Sequence, residues 1–179
     1  MGDWNVLVTF APGARNRRRL CDALEPRCRF RATPYRGVLI GRIDDAPAFL
    51  EGLRTARERH EPWAELVARA IPLEQTFDFS PETLAAQLQE AVTRFADALC
   101  GSFHVRLERR GLAGRVATRA IERAVADHLY TLAAQRGVAL RTDFADPDYL
   151  VAAETVGNAC GVALIRRETR LRYPFVAPR

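Results

Sequence analysis

FHVRLERRGLAGRVATRAIERAV, residues 103–125, is the stretch on which the reading of this chain turns. Its first part alternates: Phe103, Val105 and Leu107 are apolar, while His104, Arg106, Glu108 and Arg110 are polar, the period-two pattern of a half-buried strand. Gly111 and Gly114 then permit a tight loop, because glycine reaches positive φ at little steric cost. Beyond the loop the period changes. Ile121, Val125, His128, Leu129 and Leu132 share one stripe at about 100° per residue, which predicts an amphipathic helix. Between Gly101 and Arg123 stand six arginines (Arg106, Arg109, Arg110, Arg115, Arg119, Arg123) against two acids, Glu108 and Glu122. No nucleophile, base or metal set accompanies them. A glycine-hinged basic loop between a strand and a helix therefore points to binding of a polyanion rather than to chemistry.

Composition narrows the classes further. A chain of 179 residues with 48% hydrophobic residues fits one large globular domain or two small ones. The net charge is +5 and the pI about 9.5, spread evenly: residues 1–79 hold 13 arginines and 11 acids, residues 80–179 hold 14 and 11. Neither half is a charged tail, so the positive charge belongs to patches. All 27 basic residues are arginine, planar forks suited to phosphate and to stacking on bases. The lack of lysine excludes a lysine Schiff base and a phosphate-loop lysine. Cys21, Cys28, Cys100 and Cys160 form no C-x-x-C pair and, with three scattered histidines, no zinc set; they read as buried, reduced thiols. The N-terminus MGDWNVLVTF does not read as a signal peptide, and no apolar run approaches the ~20 residues of a membrane span. The expectation is a cytoplasmic protein with no membrane partner, no metal and no cofactor.

Taken in order, Trp4 to Phe10 reads as a strand and Ala14 to Leu24 as a short helix after Pro12-Gly13. Arg15, Arg17, Arg18 and Arg19 crowd the first half of that helix, either as a solvated face or as a nucleic-acid contact, since cations there oppose the helix dipole. Cys28, Phe30 and Ala32 alternate with Arg29, Arg31 and Thr33 as a second strand, and Val38 to Ile43 is a third. Asp44-Asp45 precede a helix carrying Pro47, with Phe49, Leu53, Ala56 and His60 inward; Leu66 to Leu73 is a fourth strand. The order β-α-β-β-α-β is the ferredoxin-like pattern. Ser80, an N-cap before Pro81, opens a helix to about Leu99 that buries Leu84, Leu88, Val92, Phe95 and Leu99. After residue 137 come a short strand, Val138 to Thr142, and an acidic segment with Asp143, Asp146, Asp148 and Glu154. Pro147 and the lack of EF-hand spacing argue against calcium. Leu150–Val156 and Ala159–Ile165 form a hairpin about Gly157-Asn158, apolar on both faces and hence central in a covered sheet. Arg166, Arg167, Arg170 and Arg172 surround Tyr173 and Phe175, either to stack on bases or to pair with the preceding acids.

RRGLAGR before a helix, followed by VALRTDFADPDYLVAAETVGNACGVAL, resembles a THUMP domain, with Asp146 where the family's turn has asparagine before proline. IPLEQTFDFSPETLAAQL resembles the junction at which an N-terminal ferredoxin-like domain meets THUMP. The resemblance implies an α+β chain with a ferredoxin-like domain over 1–79 and an α/β THUMP domain over 80–179. It also implies tRNA binding at the acceptor stem and its CCA end, and no DNA partner. Because no residues remain for a catalytic domain, the expectation is a non-catalytic adaptor, similar to the stand-alone THUMP adaptor of tRNA acetylation, that presents tRNA to a separate tRNA-modifying enzyme. The expected contacts are Arg106, Arg109, Arg110, Gly111, Arg115 and Arg119, extended by Arg166, Arg167 and Arg170. Two rivals stand beside this reading. One is a protein-interaction module whose basic patch docks an acidic partner; the other is an enzyme using His104, Glu108 and Glu154 as an acid–base set.

Overall fold

Residues 4–25 and 29–176 are described by a computed structural model, and they fall into two compact units. The N-terminal unit comprises described residues of 2–73 and 169–179; the central unit comprises 74–168. This differs from the expected division at 79/80 for two reasons. Gln75–Asp78 pairs with a strand of the central unit, and the C-terminal residues pack among those of the N-terminal unit.

In the N-terminal unit the elements follow as β1 (Val6–Phe10), α1 (Ala14–Leu24), β2 (Arg29–Ala32), β3 (Val38–Arg42), α2 (Ala46–Glu58) and β4 (Val67–Pro72). The sheet order is β2-β3-β1-β4, antiparallel at every pair. β1 lies between two strands, and consecutive Val6, Leu7 and Val8 are all buried, as in a strand covered on both faces. β2 is an edge strand with Arg29 and Arg31 exposed; Cys28 lies outside the described residues. The side chain of Asp45 caps α2 by accepting from the Ala48 N–H at 2.9 Å. The buried stripe of α2 is Leu50, Leu53 and Ala56. Phe49 is only half-buried and His60 is exposed at φ 54°, past the helix end, so neither belongs to the expected inner stripe.

Glu51 on α2 holds the C-terminal segment. It accepts from the Arg172 guanidinium at 3.0 Å and from the Tyr173 hydroxyl at 2.9 Å, while Tyr173, Phe175 and Val176 are buried. Tyr173 and Phe175, for which the sequence leaves stacking on bases as one of two alternatives, are thus core residues. Hydrogen bonds from Arg54, then Tyr173, pull the Glu51 carboxyl down from 4.5 to about 2. A depressed carboxylate contributes stability that is fully present above pH 4.5 and is lost as pH falls through about 2. Glu51→Gln is therefore expected to lose stability at neutral pH yet to show a flatter decline between pH 4.5 and 2. Urea midpoints measured across that window test this; parallel curves for parent and variant would remove Glu51 from the acid response.

The central unit contains β5 (Gln75–Asp78), α3 (Leu84–Thr93), β6 (Gly101–Glu108), α4 (Thr118–Gln135), β7 (Leu140–Thr142), β8 (Tyr149–Val156) and β9 (Ala159–Arg166). Its sheet runs β5-β9-β8-β6-β7, with β6 parallel to β7 and β8 and the other pairs antiparallel. Phe103, Val105 and Leu107 on β6 pack with Leu84, Leu88, Val92, Phe95 and Leu99 and with Ile121, Val125 and Leu129. Ala133 completes the α4 stripe; His128 and Leu132 lie at its half-buried margin. α3 is shorter than expected. Ser80 lies one turn before it, and after Thr93 the chain tightens into i→i+3 bonds such as Phe95 N–H to the Val92 carbonyl at 2.8 Å. Arg136 donates to the carbonyls of Ala96 and Asp97, satisfying acceptors at that end. The hairpin about Gly157-Asn158 forms in the expected register, with Val156 opposite Ala159. A helix α5 (Arg167–Arg172), read from sequence as tail, follows β9. Nine strands and five α-helices among the described residues make the expected α+β class the observed one.

Of the cysteines described, only Cys160 is buried; Cys21 is half-buried and Cys100 exposed. Among the described residues no helix is long and apolar enough to cross a membrane.

Candidate nucleic-acid interface

The basic loop after β6 is held by backbone geometry and by its own arginines. Gly111 takes φ 90° and Leu112 φ 53°, while the Arg109 guanidinium donates to the Gly111 carbonyl at 2.7 Å. The Arg110 N–H donates to Thr155 Oγ1 at 2.9 Å and its carbonyl accepts from the Gly157 N–H at 3.1 Å, which ties the loop to the β8–β9 turn. Val116 is buried and seats the far end of the loop before α4.

The expected contact residues separate into groups. Arg110 requires a correction: its guanidinium lies 2.5 Å from Glu154 Oε2, with the two side chains 15% and 1% exposed. Register brings them together, since β6 runs parallel to β8 with Glu108 opposite Glu154, so both carboxylates face the side from which Arg110 projects. A guanidinium so placed neutralises a buried carboxylate. Arg106 pairs with Glu108 at 3.0 Å and Arg167 with Asp146 at 2.6 Å. Arg115 sits 3.8 Å from Glu82, both largely exposed. Arg119 is exposed on α4; Arg166 is exposed with its guanidinium 5.8 Å from the Tyr149 ring centre. Arg170 is half-buried and belongs to the N-terminal unit. Glu154, committed to Arg110, is likewise lost to the acid–base set imagined with His104 and Glu108.

The acidic segment is structural. Asp143 Oδ1 accepts from the N–H groups of Ala145 and Asp146 at 2.9 and 3.1 Å, and these bonds hold its carboxyl below the usual range. Asp148 accepts from the Ser102 hydroxyl at 2.7 Å and N–H at 2.8 Å, and is lowered by the same bonds. A Cβ on Gly101, at φ 74°, would approach Asp148 Oδ2 to 2.6 Å, so this close approach requires glycine. The three aspartates point to three different partners, and no group of three metal-capable side chains occurs among the described residues.

On the N-terminal unit, Arg15, Arg17, Arg18 and Arg19 on α1 are all exposed, and the first turn holds no acid. Arg18 alone of the four has a carboxylate within 4.0 Å among the described residues, Asp22 at 4.0 Å with both side chains mostly exposed. Two grooves flank this helix. One of about 290 Å³ brings Arg17 beside Arg36, Tyr35 and Pro12; the other, about 600 Å³, is lined by Arg15, Arg18, Arg19 and Trp63. The sequence shows the arginine run, but it gives no sign that Arg36 and Trp63 join it, since these come from distant turns.

These features describe an α+β protein of two units with arginine-rich surfaces. No family model matches the sequence, and no curated protein matches it. Solved structures do match the fold. TrmN from Thermus thermophilus aligns with a TM-score of 0.58 at 22% identity, covering 89% of this chain and 44% of that one. PH1313 from Pyrococcus horikoshii Ot3 gives 0.57 at 13%, covering 90% and 54%. A 4-thiouridine synthetase–RNA complex with bound ATP gives 0.57 at 13%, covering 92% and 42%. The chain spans about half the length of these proteins or somewhat less. They correct the expectation of a protein that is not an enzyme. The fold is shared with a synthetase and with SMU.472, described as a methyltransferase complexed with SAH (TM-score 0.50, 12% identity, 93% of this chain and 42% of that one). The fold therefore gives no ground for a non-catalytic assignment.

Proposed function

We propose that this protein binds structured RNA, with tRNA as its substrate class, and delivers the acceptor stem and CCA end to an RNA-modifying active site. The observation that carries the reading is the face of α1. Four exposed arginines crowd the first half of a helix, and among the described residues only Asp22 comes within 4.0 Å of any of them, an arrangement that opposes the dipole and favours an external anion. In the central unit Arg115, Arg119 and Arg166 extend the same chemistry, with Arg109 framing the loop about Gly111. The N-terminal unit, ferredoxin-like in its strand order, and the THUMP-like unit both act as RNA-gripping surfaces in this reading. It draws support from the fold shared with a synthetase solved in complex with RNA. Phosphate contacts set orientation and carry little sequence information, so recognition is of shape.

Titration of the purified chain against tRNA at about 50 and 200 mM salt tests the proposal. Affinity is expected to fall steeply, the log–log slope gaining roughly 0.7–0.9 per phosphate neutralised. A chain that binds no tRNA at either salt, but does bind an acidic protein, would make the arginine surface a protein-docking one instead.

A further inference from the structure

We infer that the groove between α4 and the free edge of β6 receives one unstacked nucleobase of a single-stranded RNA segment. This rests on the RNA-binding reading above and adds to it the place where an unpaired nucleotide is held.

The edge arises because β7 is short. It pairs with β6 only through Gly101–Phe103, and the Asp143 N–H closes that ladder on the Phe103 carbonyl at 3.1 Å. Two strand periods further on, the Leu107 N–H on the same edge is taken by Glu122 Oε1 at 2.8 Å. Strand alternation places the Val105 N–H and carbonyl between these two, on the side with no strand neighbour. One donor and one acceptor side by side on a rigid strand match the edge of a nucleobase.

The walls suit a flat aromatic guest. Phe144 is 77% exposed, one of two large apolar side chains so exposed among the described residues. Its ring meets His104 edge to face, with centroids 5.0 Å apart, and so presents an aromatic corner to solvent. Burial keeps His104 toward its neutral form, which adds ring surface without charge. Tyr130, fixed by a 2.7 Å hydrogen bond to Thr142 and by the Phe103 ring, also lines the cavity. The cavity measures about 320 Å³, within the range of small-molecule sites. Its charge is balanced: Arg119 and Arg123 at the rim are met by Glu122 and by Asp127, which lies 3.9 Å from Arg123. Balanced charge beside an exposed aromatic fits a base; a bare phosphate would call for excess cations.

The test uses the full chain, a short single-stranded RNA carrying a fluorescent purine analogue, and a blunt RNA duplex. The analogue is expected to be quenched on binding the parent. Phe144→Ala should abolish the quenching and weaken single-strand affinity about tenfold, the loss expected for one stacked base, while leaving duplex affinity within about twofold. Phe144→Trp should restore both signals. Phe144 is exposed, so the substitution leaves the fold intact. Unchanged single-strand binding by Phe144→Ala, or an equal loss on both RNAs, overturns the base site. So does displacement of the His104 and Phe144 ring signals by an extended peptide but not by RNA, which would make the edge a strand-addition site. Retained duplex binding in any of these cases leaves the RNA-binding proposal standing; no binding of either RNA by the parent removes both.

Discussion

Arg110→Ala is expected to destabilise the central unit by about 3–5 kcal/mol, the usual cost of removing one member of a buried ion pair. Glu154 is 1% exposed and sits mid-sheet on β8, with strands on both sides. Taking away the guanidinium at 2.5 Å removes the opposite charge from a carboxylate that is 1% exposed. Arg110→Met combined with Glu154→Leu removes both charges and should recover most of the loss, since well-packed apolar replacements of such pairs are often neutral. Denaturant midpoints for the single and double variants decide the matter. An Arg110→Ala protein as stable as the parent would show that the carboxylate is relieved by other means. The folded fraction of this variant should bind RNA as the parent does, whereas a role for Arg110 on RNA would appear as lost affinity without lost stability.

Arg110 also marks the limit of what can be read along the chain. Alternation in residues 103–110 correctly separates Phe103, Val105 and Leu107 from the polar face. What lies across that polar face depends on the parallel register with β8, which joins residues 44 apart. No local period encodes that pairing. The same distinction runs through the fold. The α4 stripe, the β8–β9 hairpin and the β-α-β-β-α-β order of the N-terminal unit follow from spacing and turn residues, so they are legible. β5 is not, because four residues with Gln75 and Asp78 at their ends become a strand only through the edge of β9. α5 is similar: Arg167–Arg172 has no buried residue of its own, and Glu51 fixes its far end from 121 residues away. For the candidate interface, an arginine run shows where cations are concentrated but not which are already answered by carboxylates. The loop looked the stronger site in sequence, and α1 is the less neutralised one in space.

Replacing Arg15, Arg18 and Arg19 together by alanine should therefore move stability and RNA binding in opposite directions. Their side chains are exposed in the first half of α1 and line one groove, so no core contact is lost. Alanine is the better helix former, and removing Arg15 from the first turn relieves about 0.3–1 kcal/mol of dipole opposition. The helix, and with it the thermal midpoint, should be unchanged or slightly raised. RNA affinity near physiological salt should instead fall on the order of 100-fold. Its log–log salt slope should become shallower by about 2–3, as three fewer phosphates release their counterions. Few alternatives produce that pairing. A structural role would lower stability and binding together, and a diffuse attraction by net charge would be reproduced by removing any three exposed arginines outside the proposed sites, such as Arg59, Arg94 and Arg141. If that control costs as much affinity as the α1 variant, the helix is not a site. If the α1 variant alone loses affinity and slope while its thermal midpoint holds, these three guanidiniums are where the phosphates sit.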